Sequence, residues 1–399
     1  MNPGGVANCI NLIWMEVVLM GDGIHSMVEY DKMPRGAQKY RDFQNQKPGA
    51  AFYQQEFGYF TLERWYKEGL SREADLNEVF GFDRDGYHYI GGLGWCEAGF
   101  EPMFDVKILE DRGQHELVQD HAGRSVLYFK GRRDGFMPSY LDHPVKDEKT
   151  WEEKCLWRLD PKNPVRLEKV RKALDEAIEQ AKRGLFIGQR IIGGYMYLRS
   201  LIGATDLLYM FYDDPELIHK CMRAWFELAD SILAEEQKYV CFDEIFIGED
   251  ICYKGGPLIS PDMIKEFLVP YYQQLLMNAR RRQIDPNRKL RFQVDTDGRA
   301  TDVIDLYREL GMTHMSPFEV AAGCDVLEVR KKYPDLLISG GIDKRILAGS
   351  RDDIDRMVDR IYPEMQKHGG FLPMCDHGVP EEVSLENYLH FRKRCLEFA

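Results

Sequence analysis

Carboxylates recur in this chain at the ends of short apolar stretches. Glu56-Phe-Gly-Tyr59 closes one such stretch and Gly248-Glu249-Asp250 closes another. Then come Gln293-Val-Asp295-Thr-Asp297-Gly298, Pro317-Phe-Glu319, Gly340-Gly-Ile-Asp343 and Cys375-Asp-His377-Gly378. If the stretches are strands of one sheet, the last five bring acids to a common rim, and the final one adds a histidine. Like charges held together cost free energy unless a cation, a metal ion or a proton offsets them. Such a rim therefore suits acid–base chemistry or a divalent metal.

Each residue alone also has an ordinary reading. An Asp after a strand is usually a helix N-cap, which covers Asp297, Asp343 or Asp376. Glu249 and Glu319 suit ion pairs with a neighbouring arginine, and His377 suits a structural hydrogen bond. Cys375 shares a strand face with His377, yet a buried free cysteine commonly serves as a small hydrophobe. Arg199, in Gly193-Gly-Tyr-Met-Tyr-Leu-Arg-Ser-Leu-Ile-Gly203, follows a glycine turn. It suits either a substrate carboxylate or a salt bridge to the rim.

The elements that must position these residues alternate regularly in the C-terminal half. Leu185–Ile192, Glu244–Gly248, Leu290–Val294, His314–Phe318, Leu336–Ser339 and Gly370–Met374 have strand length and little polar alternation, as strands covered on both faces should. Capped helical runs separate them. Asp214-Pro215 and Ser260-Pro261 place a cap before a proline at the first helical position. Arg299–Leu310 ends at Gly311, Cys324–Tyr333 is stopped by Pro334, and Ser350 and Ser384 cap the last two helices. With an earlier strand near Phe52–Phe57, the pattern predicts an α/β fold, a (β/α)8 barrel whose eighth strand is not assigned. An open doubly wound sheet is the alternative, but no glycine-rich phosphate turn follows an early strand. Residues 1–35 read as an N-terminal extension. Residues 36–399 read as a single domain, with 70–163 as an elaborated insertion carrying short strands within Leu117 to Tyr128.

Composition narrows the function. Over 399 residues, 53 Lys and Arg face 66 Asp and Glu, a formal charge of −13. That repels phosphate backbones and anionic lipid, so neither a nucleic-acid nor a membrane-surface role is expected. The nine cysteines are scattered without a CxxC pair, which fits a reducing cytoplasm and no disulfide scaffold. The apolar run Cys9–Met20 is too short to span a membrane and lacks the preceding positive charge of a secretory signal.

The segment Gly248-Glu-Asp-Ile-Cys-Tyr-Lys-Gly-Gly-Pro-Leu-Ile-Ser-Pro261, continuing to Phe267-Leu-Val-Pro-Tyr271, resembles the uroporphyrinogen decarboxylase superfamily. So do Pro317-Phe-Glu-Val-Ala-Ala-Gly323, Gly340-Gly-Ile-Asp-Lys344, and Cys375-Asp-His-Gly-Val-Pro380 with Ser384-Leu-Glu-Asn387. The resemblance implies a (β/α)8 barrel and either decarboxylation of a tetrapyrrole or methyl transfer linked to a corrinoid. It departs from the decarboxylases in lacking their arginine-bearing N-terminal motif, where this chain reads Phe57-Gly-Tyr-Phe60, and in carrying Leu201 at an expected tyrosine. It departs from the zinc-dependent methyltransferases, whose site is of the His-x-Cys … Cys kind, in placing Gln293 and Asp295 at the His-x-Cys positions and His377 at the final Cys.

The expected function is therefore methyl transfer involving a corrinoid or folate-type carrier, a small-molecule substrate and a corrinoid protein as partner. Zinc or another divalent metal would be held by Asp295, Glu319 and His377 with Gln293 nearby, through N and O ligands. Glu249, Asp250 and Asp297 are expected to serve acid–base chemistry, and Tyr59, Arg199, Asp343 and Gln293 to position substrate. The second expectation is cofactor-free decarboxylation of uroporphyrinogen or a related pyrrole carboxylate, with Asp295 or Asp297 stabilising a protonated pyrrole and His377 contacting substrate. A third is a non-catalytic corrinoid or tetrapyrrole carrier. A homodimer is a further expectation.

Overall fold

The computed structural model describes residues 28–131, 133 and 138–398; the apolar run Cys9–Met20 and most of the expected extension lie outside them. Strand β1 (Tyr87–Leu93) is followed by a small antiparallel sheet of β2 (Lys107–Arg112), β3 (His115–Gln119), β4 (Ser125–Phe129) and β5 (Ser139–Asp142). The short strands expected near 117–128 are β3 and β4. Then come β6 (Phe186–Ile192), β7 (Glu244–Gly248), the two-residue strands β8 (Cys252–Tyr253) and β9 (Gly256–Pro257), β10 (Arg291–Asp295), β11 (His314–Ser316), β12 (Leu337–Ser339) and β13 (Phe371–Leu372). Strands β1, β6, β7, β10, β11, β12 and β13 are neighbours in that order, and every pairing between them is parallel.

The segment before β1 takes the eighth place. Phe57 bridges Val379 in parallel, with Gly58 N–H donating to the Val379 carbonyl at 2.8 Å and Val379 N–H to the Glu56 carbonyl at 2.6 Å. Packing shows that the sheet curls on itself. Phe186 of β6 shares one buried cluster with Leu337 of β12 and Leu372 of β13, strands far away in the sheet order, so these side chains fill a lumen. The fold is a (β/α)8 barrel.

The strand left unassigned by sequence is β1, which lies inside the span read as an insertion. Its Tyr-His-Tyr-Ile-Gly-Gly-Leu lacks the apolar run of its neighbours because aromatic rings and glycines face the barrel interior. Tyr40 and Phe43, on the helix Arg35–Gln44, seal the N-terminal end, with the Tyr40 ring 5.0 Å from both Phe52 and Phe186. Arg41 on the same helix and Arg288 each come within 2.6 Å of Asp243, which also accepts Ile187 N–H. Burial alone would raise the Asp243 carboxyl, but Arg288 and Arg41 hold it well below the usual range.

The caps read from sequence form as hydrogen bonds. Asp214 accepts Leu217 N–H at 3.1 Å, and Ser260, Ser350 and Ser384 accept at 3.2 Å from Met263, Asp353 and Asn387. These helices wrap the barrel and leave the C-terminal strand ends uncovered. Among the described residues no helix is long and apolar enough to cross a membrane.

Candidate active site

Strands β7 and β10 end side by side, Gly248 opposite Asp295. Beyond them the chain still runs together, for Glu249 and Asp250 N–H both donate to the Asp295 carbonyl, at 2.8 and 3.3 Å. Thr296 is buried, and its hydroxyl accepts Ile251 and Cys252 N–H at 3.0 and 3.1 Å. The turn then needs Gly298. Its φ is 74°, a Cβ there would lie 2.5 Å from the Tyr253 backbone, and its N–H donates to Glu319 at 2.6 Å. Asp250 and His377 adopt positive φ, 44° and 64°, a conformation uncommon without glycine and enriched where side chains are aimed for function.

This scaffold brings Asp250, Asp295, Asp297, Glu319, His377 and Arg199 together. His377 Nε2 lies 2.6 Å from Asp297 and Nδ1 3.0 Å from Glu319. Both ring nitrogens thus face carboxylates, which stabilises the doubly protonated ring. Hydrogen bonds to Asp297 and Glu319 push its pKa up to about 10 against the opposing effect of burial. In return His377, helped by Gly298 N–H, holds Glu319 below the ordinary range. Arg199 Nη2 lies 2.5 Å from Asp250, so of the two roles open to Arg199 the structure displays the salt bridge. Asp250 is nevertheless raised, by burial first and by the nearby Asp297.

Asp295 differs from its neighbours. Ser316 O–H donates to it at 2.5 Å, and Gln293 Nε2 donates to the Ser316 hydroxyl at 2.9 Å. Burial, then the charges of Asp297 and Asp250, raise its carboxyl to about 6, although Ser316 and His377 pull the other way. A carboxyl of that pKa exchanges a proton readily at neutral pH.

Other expected site residues lie elsewhere. Glu249 is wholly buried, facing away from the mouth. It accepts Tyr195 N–H at 3.0 Å and the Tyr272 hydroxyl, and so caps the helix Gly194–Ile202 that carries Arg199. Burial raises it to about 7, against Tyr272 and the backbone N–H groups. Asp343 caps the helix starting at Lys344 and binds the Arg345 guanidinium at 2.9 and 2.7 Å. Tyr59 stands 71% exposed, with no hydrogen bond to the carboxylates among the described residues. Gln293 acts on Ser316. Cys375 is buried, its N–H held by Glu56 at 2.6 Å, and burial raises the thiol far from reactivity.

The expected metal triad of Asp295, Glu319 and His377 is not arranged as a ligand set. A ligating imidazole must offer a lone pair, whereas both nitrogens of His377 are committed to carboxylates, and Asp295 is turned toward Ser316. Among the described residues no group of three or more His, Cys, Asp or Glu side chains is placed to hold a metal ion.

One contributor went unread in the sequence. Ser316 lies on the face of β11 shared with His314, and strand alternation was the signal. Asp376, read from sequence as a helix-cap candidate, is buried, pairs with Lys344 at 3.1 Å and accepts Val320 N–H at 3.1 Å, which fixes the turn after Glu319.

A family model for uroporphyrinogen decarboxylase (URO-D) matches residues 134–398. The chain belongs to the uroporphyrinogen decarboxylase family. Among solved structures it is similar to a methyltransferase from Methanosarcina mazei, at 13% identity and a TM-score of 0.56, over 91% of this chain and 98% of that one. Likeness at that identity is a likeness of fold. No curated protein matches the sequence. Within the uroporphyrinogen decarboxylase barrel the acidic mouth thus occupies the strand ends where that architecture places its chemistry.

Proposed function

We propose that this chain is a methyltransferase of the uroporphyrinogen decarboxylase family, with Asp295 as the group that takes the proton of the methyl-accepting atom. The observation that carries this reading is Asp295 itself: a carboxyl at the barrel mouth, oriented by the Gln293–Ser316 relay and raised to about 6. An O–H, N–H or S–H nucleophile gains reactivity as its proton leaves, and Asp295 returns that proton in the reverse direction. His377, fixed as a cation between Asp297 and Glu319, sets the shape and charge of the mouth. The Arg199–Asp250 pair lines the same mouth.

A corrinoid or folate-type carrier would supply the methyl group, a corrinoid protein being the partner that delivers it. No step is routed through a divalent metal, because the donor set does not fit one. A substrate bearing many carboxylates is less well served. Arg199, His377 and Lys344 are each already engaged by a carboxylate of the chain, so few positive groups remain to offset added anions.

The test is loss of the methylcobalamin spectrum, followed anaerobically with a panel of thiols, phenols and carboxylic acids. Enzyme-dependent demethylation is expected, with Asp295→Asn slowing it by about 100-fold or more. Conversion of uroporphyrinogen to coproporphyrinogen by the same preparation would establish the decarboxylase reading instead.

A further inference from the structure

Strand β6 turns Phe186, Gly188 and Arg190 to one face. Since Phe186 is buried in one cluster with Leu337 of β12 and Leu372 of β13, that face is the lumen. Arg190 is therefore a charged side chain inside the barrel, and yet it is exposed. A lumen residue reaches solvent only where the lumen is open above it. Two glycines help make that room. A Cβ at Gly188 would lie 2.2 Å from the Tyr89 ring, and at Gly248 the nearest atom to a Cβ belongs to Trp95.

Three rings surround the guanidinium. Its carbon lies 4.8 Å from the Trp95 ring centroid, 5.5 Å from Phe246 and 5.6 Å from Tyr89. Trp95 stacks on Phe246 at 5.7 Å and is itself 44% exposed. Ring contacts use the face of a guanidinium and none of its N–H donors. Among the described residues no carboxylate pairs with Arg190, in a mouth where Arg199, His377 and Lys344 are all paired. A planar donor fork thus stands in an open aromatic recess with no carboxylate of the described residues upon it.

We infer that Arg190 anchors a carboxylate of the small-molecule substrate, whose flat, apolar body lies against Trp95, Phe246 and Tyr89. The assignment rests on reading the barrel mouth as the reaction site. One guanidinium matches one carboxylate in shape and charge. A phosphate would bring a second negative charge beside Asp250, Asp295 and Asp297 without a second cation to meet it. The register places Phe246 between Arg190 and Gln293, and Asp295 lies two residues beyond Gln293. Strand spacing and rise then set roughly 12 Å between the Cα atoms of the anchor and the proton acceptor, so the substrate is a compact acid whose reacting atom lies away from its carboxylate.

Full-length protein titrated with benzoate, benzamide and phenyl phosphate tests the anchor, read by calorimetry and tryptophan fluorescence. Benzoate is expected to saturate and to bind about ten-fold or more tightly than either analogue. Arg190→Gln should weaken benzoate by about ten-fold, and Arg190→Lys by less, because a point charge keeps the attraction and loses the fork. Trp95→Phe should remove the fluorescence response while calorimetry still reports binding. Absence of saturable benzoate binding, equal affinity for benzamide, preference for phenyl phosphate, or undiminished affinity in Arg190→Gln would each overturn the inference. Should Arg190→Gln not fold, the Lys variant decides, with wild-type affinity counting against the anchor. Benzoate binding needs no methyl carrier, so this result and the methyl-transfer assay fail or succeed separately.

Discussion

The two ends of the barrel treat charge in opposite ways. At the closed end a single carboxylate, Asp243, receives two guanidiniums and a backbone N–H, and is held ionised. At the open end Asp250, Asp295, Asp297 and Glu319 share Arg199 and His377. The first arrangement satisfies its anion more than fully and rigidifies the fold. The second leaves anions in excess around a buried carboxyl, so burial first, and then the charges of Asp297 and Asp250, drive Asp295 toward the protonated state. Structure comes from compensating a buried charge and chemistry from withholding that compensation.

Three substitutions sharpen or break this contrast. Asp243→Asn should have the largest effect, a loss of about 3–5 kcal/mol, because two buried guanidiniums are left without their partner; urea unfolding at pH 7 measures it. The same carboxyl, depressed in the folded state, contributes stability above the unfolded range near 4 that is lost only as the pH falls well below it. Asp295→Asn should act in the other direction. A carboxyl raised on folding costs stability as the pH climbs from about 4 to about 6, so the Asn variant should gain about 1–2 kcal/mol at pH 7 and nothing near pH 4. A destabilised Asp295→Asn at pH 7 would erase the distinction between the two ends.

His377→Gln should have the smallest effect, a loss of about 1 kcal/mol, since the ring is partly exposed and screened. Its raised pKa makes that contribution complete below about 6.5 and lost as pH rises through about 10. The wild-type imidazole resonances of His377 should stay in place between pH 5 and 8. Movement within that window would show that its carboxylate clamp is loose.

Much of the mouth was legible because strand ends announce themselves. Asp250, Asp295, Asp297, Glu319 and His377 follow apolar runs, and parallel topology gathers such ends on one rim. What sequence could not supply was register. Gly248 and Glu249 differ by one position, and that step decides between lining the lumen and capping a neighbouring helix. The described residues show no ligand cluster for the expected metal for a related reason, since strand ends show that acids meet a histidine but not that both ring nitrogens face carboxylates. Strand β1 and Arg190 were hidden by one circumstance. Apolar runs mark strands whose two faces are both covered, whereas here one face looks into an open recess, so glycines, tyrosines and an arginine replace valine and isoleucine. An arginine inside the run Leu185–Ile192 was the available signal.

The aromatic stopper formed by Tyr40 and Phe43 has a kinetic corollary. A cul-de-sac has one doorway, so reactants and products must share it. On the proposed methyl-transfer reading, a compact acid has to slip in before a bulky delivery protein settles over the entrance, and it cannot leave until that protein lifts away. Turnover then follows a compulsory sequence, acid first and donor second, which initial-rate patterns with both concentrations varied would display.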